Sequence, residues 1–373
     1  MTEVLSLRKA ARYRVPVTLV TSPTPDLISD VVSHWMATQP SDVLSRLGSP
    51  NMESIMDDVM EKFAPGKNAA EEMAQGPLAP EVYEEVGQIL RKDLDRAIEN
   101  PKCQQILFEV GLDSDPVFVA ESVFLNEELE ERTELPYRLD TLVSVLDGPT
   151  LLKRWIEPGR RAYPPSDEQE AWTVSIESAD RIVVMGLTQI SEWGRTRIRE
   201  ALTLLNPRAE VFEWPLEDRS IHPLQPSGHF NWKLTLDGGT AFQALQGREL
   251  DAQIEASTFV YQRNRPFHPE RLYQIVEDWP AQVLRTRGTA WVGMKGHENF
   301  QLSQLGPNPI IIAPSQEPEI TPTNLAFVGK NLEFQALERI LDACLLTDLE
   351  MRMDWSRFRN PFEPFLKEMM SEA

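Results

Sequence analysis

Residues 16–36 read PVTLVTSPTPDLISDVVSHWM. The run at 15–20 is continuously apolar and rich in valine, the pattern of a strand buried on both faces. Residues 26–36 then carry a helix-period apolar pattern. Strand, loop and helix in that order predict the opening of an α/β sheet. Pro23 and Pro25 stiffen this loop and each removes a backbone donor. Working outward, residues 80–98 place Val82, Val86, Ile89, Leu90, Leu94 and Ile98 on one helical face. Residues 105–110, 139–146, 180–185 and 209–214 read as further strands, and 192–205 as a helix. The stretch 41–75 mixes Gly, Pro and acidic residues and is expected to be an irregular excursion with helical patches such as MESIMDDVMEKF. Strands alternating with helices predict a mostly parallel sheet flanked by helices.

The texture changes at 215–245, where LEDRSIHPLQPSGHFNWKLTLDGG is dense in turn formers. The expected division is residues 1–220 as one α/β domain, 221–250 as a linker and 251–373 as a second domain. Beyond the linker, residues 254–261, 283–293, 300–305, 309–312 and 325–328 read as strands. Residues 269–279, with proline in the first turn, and 334–346 read as helices. A small α+β domain with its helices on one sheet face is expected.

The chain has 373 residues, 41% of them hydrophobic, which is long enough for two packed cores. A formal charge of −21 argues against general nucleic-acid binding, which needs a basic footprint, and favours a basic or cationic partner. No apolar run reaches the roughly 18 residues of a membrane span, and the N-terminal stretch does not read as a secretory signal. Cys103 and Cys344 are far apart in apolar segments and read as buried free thiols. A cytoplasmic location is expected.

Three ordered segments of the second half, STFVYQRNRPFHPERL (257–272), VLRTRGTAWVG (283–293) and FVGKNLEFQALERILDACLLTD (327–348), resemble the C-terminal domain of CobW-type GTPases, a CobW/HypB/UreG-like P-loop family associated with zinc, cobalt and other metals. Arg287 stands where that family has lysine, and Glu333 where it has aspartate. The first half resembles the family's P-loop domain in order and spacing only. The family pattern there is a strand, G-x-x-x-x-G-K-[ST] and a helix. In gapless register Ser22 and Leu27 take the glycine positions, Ile28 takes the lysine, and Ser29 keeps the hydroxyl that reaches Mg²⁺. The C-x-C-C metal motif falls on Glu85, Gly87 and Gln88, ahead of LRKDL. The acid near the γ-phosphate corresponds to Glu109 in FEVGLDSDP. The guanine-reading N-K-x-D falls on Met185, Gly186, Leu187 and Thr188. Asp147 ends the strand LDTLVSVLD, at the edge where α/β sheets bind ligands.

What the resemblance implies is therefore a shell of the nucleotide domain without its phosphate, metal and base contacts. The expected remnant nucleotide and Mg²⁺ positions are Ser22, Ser29, Glu109 and Asp147, with no catalytic residue and no metal ligand assigned. The leading expectation is a pseudo-GTPase without bound cofactor that acts by binding another protein in metal homeostasis. Two alternatives stand beside it: an active GTP-dependent metallochaperone with rebuilt sites and GTP, Mg²⁺ or Zn²⁺ bound, or a small-ligand binding protein using the emptied cleft. Self-association is left open. Among individual residues, Ser29 reads as a cap of its own helix, His34 as a packed histidine, and His268 as a half-exposed cap at a rigid corner. His222 and His229 together are an incomplete metal pair, and Arg285 and Arg287 are expected to pair with acidic residues.

Overall fold

The computed structural model describes residues 14–24, 26–63, 65, 78–111, 114–126, 128–157, 166–216, 221–228, 230–236, 238–294, 299–307, 311–314 and 321–362. Contacts divide the chain into two compact units. The first comprises residues 1–148, 171–190 and 208–236, and the second 149–170, 191–207 and 237–373.

Among the described residues, the first unit is built on six parallel strands: β1 (Val15–Thr21), β2 (Leu44–Leu47), β3 (Gln105–Val110), β4 (Tyr137–Asp147), β5 (Arg181–Met185) and β6 (Glu210–Glu213). Their order is β2-β3-β1-β4-β5-β6. All seven residues of β1 are buried, which is why its sequence shows no alternation. Helices α1 (Ile28–Thr38), α2 (Met52–Phe63), α3 (Pro80–Ala97), α4 (Pro116–Phe124) and α5 (Ser166–Glu177) lie between the strands in sequence. Within residues 41–75, α2 is the helical patch MESIMDDVMEKF read from the sequence, β2 is a strand where an irregular excursion is expected, and residues 64 and 66–75 lie outside the described set. Helix α4 starts with Pro116 and is capped by Asp115, whose carboxylate accepts from the Val117 and Phe118 amides at 2.7 and 3.4 Å.

Residues 221–228, within the stretch that reads as a linker, form a strap across this sheet. The Gln105 amide donates to the Leu224 carbonyl at 2.6 Å and to Thr18 Oγ1 at 2.9 Å. Arg181 Nη1 donates to the carbonyls of Pro223 and Gln225. Between Val17 and Thr18 the pairing of β1 with β4 shifts by one residue, so Asp140 is the extra residue of a bulge. Its fully buried carboxylate turns to the strap and accepts from the Ser227 amide at 2.6 Å and the Gly228 amide at 3.1 Å. Thr141 Oγ1 and Arg138, at 2.9 and 2.7 Å, add two further donors.

The second unit holds an antiparallel sheet ordered β10-β9-β8-β11-β7. Its strands are β7 (Thr258–Arg263), β8 (Val283–Trp291), β9 (Asn299–Leu305), β10 (Ile311–Pro314) and β11 (Thr323–Gly329). Helices α10 (Pro269–Glu277) and α11 (Phe334–Asp342) supply Leu272, Val276, Leu337 and Leu341 to a core with Leu325 and Phe327. The expectation of helices on one face is incomplete. Ala326 and Val328 point the other way, into a cluster with Leu204 of α6 (Glu192–Leu205), Ala241 of α8 (Thr240–Leu245) and Ile254 of α9 (Ala252–Glu255). The short α7 (Trp232–Leu236) belongs to the first unit. The run LAFV at 325–328 is continuous because both faces of that strand are covered. No helix among the described residues is long and apolar enough to cross a membrane.

Candidate functional site

In an open parallel sheet the ligand crevice lies at the carboxyl ends of the strands where the order reverses. Here the chain runs from β1 outward to β2 and β3, then returns past β1 to β4. The reversal is at β1, between β3 and β4. Ser22 follows β1, Glu109 lies near the end of β3 and Asp147 ends β4, so three of the four positions singled out from sequence fall at this edge. Ser29 lies in the first turn of α1.

The loop after β1 closes on itself. Ser22 is buried, and its hydroxyl donates to the Thr24 carbonyl at 2.8 Å and accepts from the Thr24 amide at 3.1 Å. Asp26 sits in the left-handed region at φ 65°, a conformation that glycine adopts without strain. Leu27 occupies the helix cap and makes no side-chain capping bond. Ser29 therefore does not cap its own helix, contrary to the sequence reading. Its hydroxyl accepts instead from Arg46 Nη2 at 3.3 Å, while Arg46 Nε lies 2.5 Å from Glu109 Oε1. A guanidinium from β2 thus joins the two residues that the family resemblance assigns to Mg²⁺ and the γ-phosphate region. Asp147 stands opposite Met185 in the β4–β5 register, apart from this cluster.

The remaining motif positions are equally specific. Gly186 is left-handed at φ 72° and begins a 3₁₀ turn in which Leu187 is buried and Thr188 exposed. This end of β5 presents no carboxylate from residues 185–188. At the C-x-C-C position Glu85 pairs with Lys62 at 2.8 Å and Gln88 donates to Glu84 at 3.2 Å. A Cβ built on Gly87 would lie 1.9 Å from the Ser122 carbonyl oxygen, so α3 and α4 touch backbone to backbone there. The donor set and the space both fail to fit a thiolate metal site. The loop after β1 holds Leu27 and Ile28 where the family resemblance expects glycine and lysine. Among the described residues no group of three His, Cys, Asp or Glu side chains converges as a metal set.

His229, Glu217 and Asp218 lie outside the described residues. His222 instead faces His34: Nε2 and Nδ1 are 3.3 Å apart, and Trp35 and Trp214 pack on the pair. The Leu224 amide donates to His222 Nδ1, so the neutral ring carries its proton on Nε2 and donates it to His34. Burial, then His34 and Arg181, hold the His222 pKa down to about 4. The unfolded chain binds this proton more readily, so His222 contributes stability that is complete above about pH 6.5 and lost as pH falls toward 4. Urea unfolding at pH 7.5 and pH 5 is expected to differ by about 2 kcal/mol from this group, and His222→Phe should remove that part of the slope.

His268 is the cap expected from sequence: its Nδ1 accepts from the Glu270 amide at 3.2 Å. Phe267 is fully buried at the same corner and bridges to Val292 and Leu345. Arg285 is buried and donates to the Thr286 and Gln304 carbonyls and to Ser303, while Arg287 lies over the Phe242 ring at 4.8 Å. Both cysteines are buried thiols, as the sequence suggests.

Residues 256–345 match the family described as the cobalamin synthesis protein cobW C-terminal domain. The zinc-regulated GTPase metalloprotein activator 1 of Dictyostelium discoideum is 24% identical over 353 residues, covering 82% of this chain and 72% of that protein. The chain carries a CobW C-terminal domain. The CobW C-terminal match runs from β7 through α11, across the R-P-F-x-P corner, as the sequence motifs imply. Among solved structures, the Zn(II)-bound YjiA GTPase from E. coli is 12% identical, with a TM-score of 0.35 over 89% of this chain and 99% of that one. The hydrogenase maturation factor HypB from Archaeoglobus fulgidus is 13% identical, with a TM-score of 0.28 over 57% of this chain and 87% of that one.

Proposed function

We propose that this CobW-type chain is a non-hydrolysing member that works by binding another protein, in the metal-related setting of its relatives. The observation that carries the reading is the Arg46 bridge. A cation of the protein itself already engages Ser29 and Glu109, the two positions from which the family resemblance would hold Mg²⁺ and reach the γ-phosphate. A loop with Leu27 and Ile28 at the glycine and lysine positions supplies no compensating charge for phosphate.

Phosphate release from Mg-GTP, measured with the purified chain in excess, is expected to stay at the buffer rate with or without Zn²⁺. Arg46→Ala should leave that result unchanged, because the lysine is still lacking. It should cost no more than about 1 kcal/mol of stability, since the ion pair is part-exposed. Turnover above the buffer rate that Ser29→Ala or Asp147→Ala abolishes would instead support an active metallochaperone with rebuilt sites.

A further inference from the structure

A cavity of about 330 Å³ lies in the first unit between α3, α4 and the residues Leu125, Asn126, Leu129 and Arg132. Leu78, Tyr83, Leu125 and Leu129 give it apolar walls, and Glu84, Glu121 and Arg132 reach it. Its two acids are partnered unequally. Glu84 is bound by Arg91 at 2.7 Å and by Arg132. Those arginines are further engaged: Arg91 donates to the Ser122 and Val123 carbonyls, and Arg132 to the Leu125 carbonyl. The Glu121 carboxyl, by contrast, has no donor or cation among the described residues, and the charge acting on it is that of another acid, Asp115. An acid in an apolar recess without a counter-charge is costly to ionise and gains from an incoming cation.

The rim adds an apolar foothold. Asn126 Oδ1 accepts from the Glu128 and Glu130 amides, and Leu129, at φ 58° and 66% exposed, is held outward by that turn. We propose that this cavity is a docking site for a partner protein, receiving a lysine or arginine side chain against Glu121 and a neighbouring apolar residue against Leu129. The net charge of −21 complements such a basic segment. The inference rests on the protein-binding half of the proposed function and is independent of whether the nucleotide is hydrolysed.

Burial, then Asp115, raises the Glu121 pKa to about 7. The other titratable and charged groups around it are Tyr83, Glu84 and Arg91 of α3, Asp115 at the start of α4, and Arg132. A cation favours the ionised carboxylate, so affinity should rise about tenfold from pH 6 to pH 8.

The test is calorimetric titration of the full chain with acetyl-Leu-Arg-Leu-amide, its citrulline counterpart and butylguanidinium. The arginine peptide is expected to bind, at least tenfold more tightly than either control and more tightly at pH 8 than at pH 6. Glu121→Gln should abolish the preference over citrulline, and Leu129→Ser, at an exposed position, should weaken the peptide severalfold without changing the melting curve. No binding of the arginine peptide, equal binding of citrulline, or a preference that survives Glu121→Gln would overturn the site. Butylguanidinium binding as tightly as the peptide would overturn its assignment to a protein partner. Phosphate release is read separately, so either proposal can fail alone.

Discussion

Replacing Asp140 by alanine is expected to destabilise the chain by about 2–4 kcal/mol, measured by urea unfolding of the purified protein. Its carboxylate is fully buried and accepts from two strap amides, Ser227 and Gly228, as well as from Thr141 and Arg138. Alanine removes every one of these acceptors, among them that of the buried Thr141 hydroxyl, and an unmade buried hydrogen bond costs about 1–3 kcal/mol. Asp140→Asn keeps one carbonyl oxygen in place and should recover about half of the loss. A loss below about 1 kcal/mol for alanine would mean that the strap does not depend on the bulge of β4.

The second large effect belongs to Gly87→Cys. This change restores a thiol at the middle position of the family's metal motif, yet its Cβ would fall 1.9 Å from the Ser122 carbonyl oxygen. Backbone cannot yield as a side-chain tip can, so α3 must move off α4. The expected cost is about 2–4 kcal/mol, at or above the usual range for overpacking. The variant should also gain no zinc affinity over the parent in a competitive chelator assay. A stable variant that binds zinc tightly would show that the helix contact is soft and the metal position recoverable.

Legibility in the sequence divides along physical lines. The strand at 105–110 and the helix at 192–205 can be read directly because their apolar residues repeat at the period of a fully packed element. The four residues of β2, LSRL, are half-exposed at an edge of the sheet and carry no pattern of their own. Helix α4 escapes the pattern although Asp115 and Pro116 are a capping pair, since PVFVAESVF is apolar on nearly every side. The strap at 221–228 is rich in turn formers and reads as a linker. Its anchors are Gln105, Asp140 and Arg181, some forty to one hundred and twenty residues away.

The site is legible to the same degree. Spacing is enough to bring Ser22, Glu109 and Asp147 to the reversal point of the sheet, because strand ends are set by the strands themselves. Arg46 is invisible at that level, since nothing in LSRL distinguishes a bridging guanidinium from a solvated one. The pairing of His34 with His222 requires the strap to fold back over α1, and the turn-rich composition hides this.

Thermal unfolding with and without millimolar Mg-GTP tests the non-hydrolysing reading most directly. A nucleotide present at 100 times its dissociation constant would add about 2.7 kcal/mol and raise the midpoint by several degrees. The midpoint is expected to stay where it is. An upward shift with Mg-GTP that Ser29→Ala removes would show nucleotide held at this loop and contradict the proposal.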